Sequence, residues 1–355
     1  MNELSRKSEE KLILKSMEFK TLYPKYMEII KGLVKRYPFL MDEYFEKLVN
    51  FKKNKETPLH GWFDYKHGYS MDLVKALIER NSVSLEFDIL DPFCGVGTTN
   101  LVAQTMGYSS IGFDVSPLAI QIAEAKTAFY SKSDLEDIDH HIDNFALKGK
   151  YDPPKSDLIE RAFKKNDLNT LLQIKNYYEE MGNRKVRNFF KSAYLSVIED
   201  CSNRVKDGNG LKIKRNKVDI LDIENFYKSK VQLMLKDIKE SNLESKAELV
   251  QGSFIELGKK INSESVGLTI TSPPYANCFD YFEVYKLELW MGGYVKSYDD
   301  FFQYRKDAIR SHVNAKFDHS IENDNPLVDL IAECISCFNI WNKNIPDMIR
   351  GYFDD

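Results

Sequence analysis

The sequence has 355 residues, 43% of them hydrophobic and 29% charged, enough for about two average domains with a substantial core. Its net charge of −4, from 50 basic and 54 acidic side chains, excludes a histone-like polyelectrolyte but leaves room for a local basic surface. No apolar run reaches the ~18 residues of a membrane-spanning helix, and the opening MNELSRKSEEKLILK has no signal-peptide core. Five cysteines (94, 201, 278, 334 and 337) suit a reduced cytoplasmic chain and not a disulfide scaffold.

Residues 1–57 read as a helical N-terminal region. Leu12, Leu14, Met17, Phe19 and Leu22, then Met27, Ile30, Leu33 and Val34, recur at spacings that share helix faces. Pro58, Gly61 and Gly68 then punctuate an aromatic stretch, HGWFDYKHGYS, before a helix over 71–80. Residues 58–130 form an α/β unit: strand 87–91, glycine-bearing loop 92–97, helix 98–106, strand 110–114 and helix 117–129. Ser116 has the chemistry of an N-cap, and Pro117 stands where its missing N–H costs little.

The stretch 131–245 is polar and mostly helical, an insert that interrupts the alternation. Within 184–217, ten lysines and arginines stand against three acids, a net +7. Gly208-Asn-Gly210 makes a turn, and Lys212, Lys214 and Lys217 follow near-alternately, which fits a basic ribbon or loop beside a nucleic-acid backbone, or else a solvated basic helix face. His140-His141 lies in an acidic helical region and reads as surface. Alternation resumes in 246–355 with strands 247–251 and 266–271, after which only helices are expected, at about 281–291, 299–310 and 326–343. Cys334 and Cys337 have CxxC spacing, but in an apolar helical run, so core packing is expected rather than a metal site.

Two stretches carry chemistry. In Asp91-Pro-Phe-Cys-Gly-Val-Gly-Thr-Thr99, a glycine turn between strand and helix lets backbone approach a ligand at the carboxyl end of a strand, although it also serves as a plain tight turn. Asp114 ends the next strand, where a carboxylate can accept both hydroxyls of a ribose. With no GK[ST] and no third glycine, an adenosine-bearing ligand without a diphosphate fits better than a nucleotide. In Thr271-Ser-Pro-Pro-Tyr275, two prolines fix φ and leave rigid carbonyls. Ser272 and the Pro273 carbonyl can accept hydrogens from a planar amine while Tyr275 stacks on its ring; a bare turn is the alternative. Phe279, Tyr281, Phe282 and Tyr285 either line that pocket or pack a helix face.

Together, DPFCGVGTT, Asp114 and TSPPY resemble the S-adenosylmethionine-dependent DNA amino-methyltransferases. SPPY is more similar to the N4-cytosine branch than to the N6-adenine branch, whose first position is usually Asp or Asn. Residues 60–74 resemble the family segment that precedes the cofactor loop and closes over the methionine; 202–212 and 277–290 are also family-like. The resemblance implies a Rossmann-like α/β methyltransferase sheet and S-adenosylmethionine as cofactor, with no metal. It implies cofactor contacts from Trp62, Tyr65, Tyr69, Ser70, Asp91, Pro92, Phe93, Cys94, Gly95, Gly97, Thr98, Thr99, Asp114 and Val115. Ser253 falls where the family often has an acid against the adenine. Ser272, Pro273, Pro274 and Tyr275 take the catalytic positions, and Arg204, Lys206, Lys212, Lys214 and Arg215 become candidate contacts to double-stranded DNA.

The implied reaction is direct methyl transfer to the amino nitrogen of a flipped base in a prokaryotic, cytoplasmic restriction-modification enzyme. A C5-cytosine enzyme would need a cysteine nucleophile, typically after proline, and the sequence has no Pro-Cys pair. N6-adenine methylation, RNA base methylation and a non-catalytic subunit are the alternatives. The family sheet continues through three more strands after the catalytic loop, whereas the residues following Tyr275 read as helical. One part of a split methyltransferase, its sheet completed by a second chain, or a truncated product is therefore the expectation.

Overall fold

The computed structural model describes residues 3–37, 43–66, 68–208, 210–214, 219–276, 279–313 and 325–355. They group into two compact units. The larger comprises Tyr44–Pro273 with Tyr281–Asp307, and the smaller comprises Met1–Glu43, Pro274–Asp280 and Ala308–Asp355.

The larger unit is built on a parallel sheet. In chain order the strands are β1 (Asp88–Asp91), β2 (Ser110–Asp114), β3 (Arg204–Asp207), β4 (Gly210–Ile213), β5 (Ala247–Gln251) and β6 (Val266–Thr269). Four of them form the sheet in the order β5-β2-β1-β6, every pair parallel, while β3 and β4 make a separate antiparallel hairpin. Ile89 and Leu90 are buried, as parallel strands require when both faces are covered. Registers Asp91↔Gly112, Leu90↔Thr269 and Asp114↔Gln251 bring the carboxyl ends of all four strands to one edge.

Helix Thr98–Thr105 joins β1 to β2, and helix Pro117–Thr127 follows β2 with the Ser116 hydroxyl accepting from the Ala119 N–H at 3.3 Å. Val74 and Ile78 from helix Met71–Asn81 meet Ile89, Val102, Ala103 and Ile270 in a buried cluster. Burying each of the larger of these side chains contributes roughly 1.5–3 kcal/mol.

The insert is helical apart from its hairpin. It comprises Lys132–Asp143, Asp157–Ala162, Lys165–Glu179, Arg184–Cys201 and Ile223–Glu240. Gln121 fastens it to the sheet, its amide donating to the Asn188 carbonyl at 3.1 Å from a buried position. His141 donates or accepts at the Tyr177 hydroxyl at 3.2 Å and belongs to this packing.

The smaller unit contains helices Glu3–Arg36, Pro326–Ser336 and Ile345–Asp354. Phe19 meets Phe338 edge-on with centroids 4.9 Å apart, and Val313, Ile345 and Met348 form a small core. Arg310 clamps the last two carboxylates, at 2.7 Å from Asp354 and 2.9 Å from Asp355.

Three expectations need correction. The N-terminal region divides at Glu43, and Ala308–Asp355 groups with the N-terminal helix rather than with the catalytic half. The helix expected over 326–343 stops at Ser336, and a new helix begins at Ile345 after a turn in which Asn342 accepts from the Asn344 N–H at 2.9 Å. Cys334 and Cys337 are half-exposed there instead of packing a core. Among the described residues no helix is long and apolar enough to cross a membrane.

Candidate active site

The loop leaving β1 is shaped by two glycines with positive φ, Gly95 at 52° and Gly97 at 78°. A side chain at Gly97 would place its Cβ 2.9 Å from the Ala123 Cβ, so glycine allows the following helix to pack closely. Gly95 lies under the Tyr65 ring, where a Cβ would meet Cε1 at 3.1 Å. The loop is also tied to β2: the Cys94 N–H donates to the Phe113 carbonyl at 2.8 Å, and the Gly95 N–H to Asp114 Oδ2 at 2.9 Å.

Two carboxylates end the neighbouring strands. Asp91 is fully buried; its Oδ2 accepts from the Thr99 hydroxyl at 2.7 Å and from the Tyr69 hydroxyl, and its Oδ1 from the Phe93 N–H at 3.1 Å. Burial pushes Asp91 up to about 6, against the opposing pull of those three donors. Asp114 is half-buried, accepting from the Ser116 N–H at 2.8 Å as well as from Gly95. Burial likewise lifts it to about 6, countered by the same two N–H groups. Each of its oxygens has a second lone pair and can take a hydroxyl.

Tyr65 stacks on Tyr285 at 4.9 Å and 7°, and on Tyr281 at 5.6 Å and 14°. Tyr281 and Tyr285 share a helix face at i,i+4 spacing, so packing and the wall of the site are one role for this pair. Phe282, by contrast, turns onto Tyr304 at 5.5 Å, and Phe279 is buried.

The remaining expected contacts divide by placement. Tyr65, Cys94, Gly95 and Asp114 converge, and Phe93, Thr98, Val115 and Ser253 are each half-buried near the carboxyl edge of the sheet. Pro92 is buried beside Asp91. Tyr69 and Thr99 are spent on orienting Asp91, and Ser70 caps helix Met71–Asn81 by accepting from the Asp72 N–H at 3.2 Å. Trp62 departs from the expectation: it is 2% exposed, and its indole N–H donates to Asp237 at 2.9 Å, so it anchors the segment to the insert. Sequence reasoning passed over Asp237, and also Asn54, whose side chain holds the Tyr69 carbonyl and the Met71 N–H. Neither stands in a pattern distinguishable from an ordinary surface residue.

Residues 271–273 leave β6 beside the β1 loop, because the Ile270 N–H donates to the Leu90 carbonyl at 2.9 Å. Ser272, Pro273 and Pro274 are half-buried and Tyr275 is exposed, and the division between the two compact units falls inside this loop.

The basic segment divides: Arg184–Cys201 is helix, and β3 pairs with β4 as a ribbon, one of the forms left open. Lys212 and Lys214 are exposed, Lys212 pairing with Asp207 at 2.8 Å, and Arg204 is half-buried. Arg215 and Lys217 lie outside the described residues. Lys206 overturns its expectation. Its side chain is 4% exposed, with the ammonium bonded to Glu199 at 2.6 Å and to the buried Glu288, so no charge is presented to a phosphate.

A parallel β5-β2-β1-β6 sheet with a glycine loop after β1 and an acid ending β2 defines a Rossmann-like methyltransferase domain. The N6/N4 DNA methylase family model matches residues 7–125 of the chain. It is similar to the Type II methyltransferase M.BsoBI of Geobacillus stearothermophilus, 31% identical over 294 residues, covering 72% of this chain and 57% of that one. M.AvaI of Nostoc sp. is 28% identical over 366 residues, with 88% and 73% covered, and M.MvaI of Kocuria varians is 26% identical over 249, with 63% and 54% covered. The chain thus spans little more than half the length of M.BsoBI.

Type II DNA methyltransferases of this family use S-adenosylmethionine. The residues present fit that group: a half-buried carboxylate with spare acceptor capacity, a glycine at the loop's closest approach, and a stacked aromatic wall.

Proposed function

We propose that the chain methylates the exocyclic amino group of a DNA base, N4 of cytosine, with S-adenosylmethionine, in a restriction-modification system. The reading rests above all on one adjacency: the loop carrying Ser272 leaves β6 next to the β1 strand end that carries Asp91 and the glycine loop. Two ligand-facing loops on neighbouring parallel strands suit a reaction between two bound molecules. Serine before Pro-Pro, similar to the N4 branch, favours cytosine over adenine.

S-adenosylmethionine supplies an electrophilic methyl on sulfur. Asp114 accepts the ribose hydroxyls, with Ser253 near the adenine edge, and Tyr65 over Gly95 excludes water from the loop. A base amino group is unreachable within the stack, so the target nucleotide is flipped out. Ser272 Oγ and the Pro273 carbonyl accept the amino hydrogens, which localises the nitrogen lone pair for attack, and Tyr275 stacks on the base. The prolines keep that carbonyl fixed, so little reorganisation accompanies the reaction. Arg204, Lys212 and Lys214, on the hairpin, contact DNA phosphates.

Methylated duplex DNA, digested to nucleosides and analysed by mass spectrometry, tests the assignment. N4-methylcytosine is expected, N6-methyladenine would reassign the base, and no methylated nucleoside would leave a non-catalytic subunit. Ser272→Ala should lower kcat by about 10²-fold or more with cofactor affinity intact; wild-type turnover in that variant would sink the mechanism. A second polypeptide completing the enzyme is compatible with β6, an edge strand among the described residues. Full activity from the isolated monomer would exclude it.

A further inference from the structure

The segment that covers the cofactor loop and the basic hairpin are far apart in sequence, yet both end on one buried ion cluster. Lys206, on β3, is bonded to Glu199 at 2.6 Å and to Glu288, which is 1% exposed. The same ammonium lies 4.9 Å from the centre of the Tyr285 ring and 5.7 Å from that of Phe63. Tyr285, 2% exposed, accepts the Lys66 N–H on its hydroxyl at 2.6 Å and stacks on Tyr65, whose ring covers Gly95. A continuous set of contacts therefore runs from the hairpin strand through Tyr285 to the glycine of the cofactor loop.

The chemistry gives that cluster a positioning duty. Burying an ammonium is costly unless it is paired and hydrogen-bonded, and here two carboxylates and two aromatic faces surround it. Such a group tolerates little displacement, because a shift leaves a buried charge uncompensated. Stacked tyrosines alone can slide; a cation seated over one ring, with that ring's hydroxyl bonded to the Lys66 N–H, restricts the slide. Glu288 stands three residues after Tyr285, on the helix Lys286–Met291 that Tyr285 caps, so one element supplies both the ring and the counter-charge.

We infer that Lys206 is a positioning residue for the cofactor site: through Glu288 and Tyr285 it holds the Tyr65 ring over Gly95, and it makes no contact with DNA phosphate. The inference rests on the S-adenosylmethionine reading above, and its predictions are opposite to those of a phosphate contact on the same strand.

The test uses the full chain and two binding measurements made separately, S-adenosylmethionine by calorimetry and duplex DNA by anisotropy across a salt series. Lys206→Met should weaken cofactor affinity by about tenfold. It should also alter the near-ultraviolet circular dichroism of the tyrosine stack, and leave DNA affinity and its salt slope at wild-type values. Lys206→Arg, which keeps the charge, should recover part of the cofactor affinity. Tyr285→Leu should reproduce the cofactor defect and be non-additive with Lys206→Met, since the two act through one contact. Where Lys206→Met does not fold, Glu199→Gln, at the part-exposed partner, carries the measurement, with a smaller loss of cofactor affinity expected. Loss of DNA affinity with a flattened salt slope and unchanged cofactor binding would overturn the inference, as would unchanged cofactor binding alone. Wild-type protein that binds no S-adenosylmethionine would instead sink the functional reading itself.

Discussion

Asp91 and Asp114 end adjacent strands, and burial raises both to about 6, yet their surroundings assign them different work. Asp91 has its lone pairs taken by Tyr69, Thr99 and Phe93, so it shapes the loop from within. Among the described residues Asp114 accepts only from Gly95 and Ser116, and it keeps capacity for a ligand. A raised carboxylate stays protonated to higher pH, and a protonated Asp114 loses acceptor strength toward two ribose hydroxyls. Cofactor affinity should then be flat above pH 7 and fall about tenfold per unit below pH 6. Calorimetry between pH 5 and 8 checks this, and an affinity unchanged down to pH 5 would remove Asp114 from the ribose. Asp114→Asn should weaken binding by about 1–3 kcal/mol and flatten the profile; whatever slope survives belongs to Asp91.

At the scale of elements, the β3–β4 hairpin shows what a sequence can and cannot disclose. The Gly208–Gly210 turn and near-alternating lysines left a ribbon, a loop and a helix face open, and residues 204–213 pair as a ribbon. Alternation says that successive residues face opposite ways, but not which face is covered. Lys206 falls on the covered face because Glu199 and Glu288, distant or on another element, receive it, and no local pattern encodes that encounter. Lys212, on β4, and Lys214, one residue past its end, are exposed. Replacing both with Gln should weaken DNA binding uniformly across sequences and reduce the salt slope by roughly two, one for each phosphate no longer neutralised. An unchanged slope would take the hairpin off the phosphate backbone. The strands and loops of the cofactor half were legible for a simpler reason. Their signals, an apolar run, two glycines and a capped helix at Ser116, are all local, and the parallel pairing follows once each strand alternates with a helix.

Over the whole molecule, legibility fell with sequence distance. The grouping of Ala308–Asp355 with the N-terminal helix depends on contacts such as Phe19 with Phe338, which no periodicity reveals. A second long-range encounter has a measurable consequence. Lys126 is 2% exposed, and its ammonium reaches the His60 carbonyl at 3.2 Å while Lys230 approaches the neighbouring Gly61 carbonyl at 3.5 Å. Burial, with Lys230 adding to it, lowers Lys126 to about 7, and burial lowers Lys191 to about 8. Between those values and the ordinary lysine range near 10.4, the unfolded chain binds more protons than the folded one, so stability rises with pH. Lys206, which its two carboxylates raise, and the buried tyrosines raised above 10 act only above that range, while the Cys94 thiol, raised by burial, begins to oppose the trend toward pH 9. Urea unfolding should therefore show stability increasing from pH 7 to pH 9, with Lys126 contributing up to ~2.5 kcal/mol. Lys126→Met should be more stable than wild type at pH 7 and keep only the shallower slope of the other lysines that burial lowers, Lys175, Lys191 and Lys230. A variant with the full wild-type slope would mean that Lys126 is charged in the folded protein across this range, and that the turn at His60 is held by an ammonium ion after all.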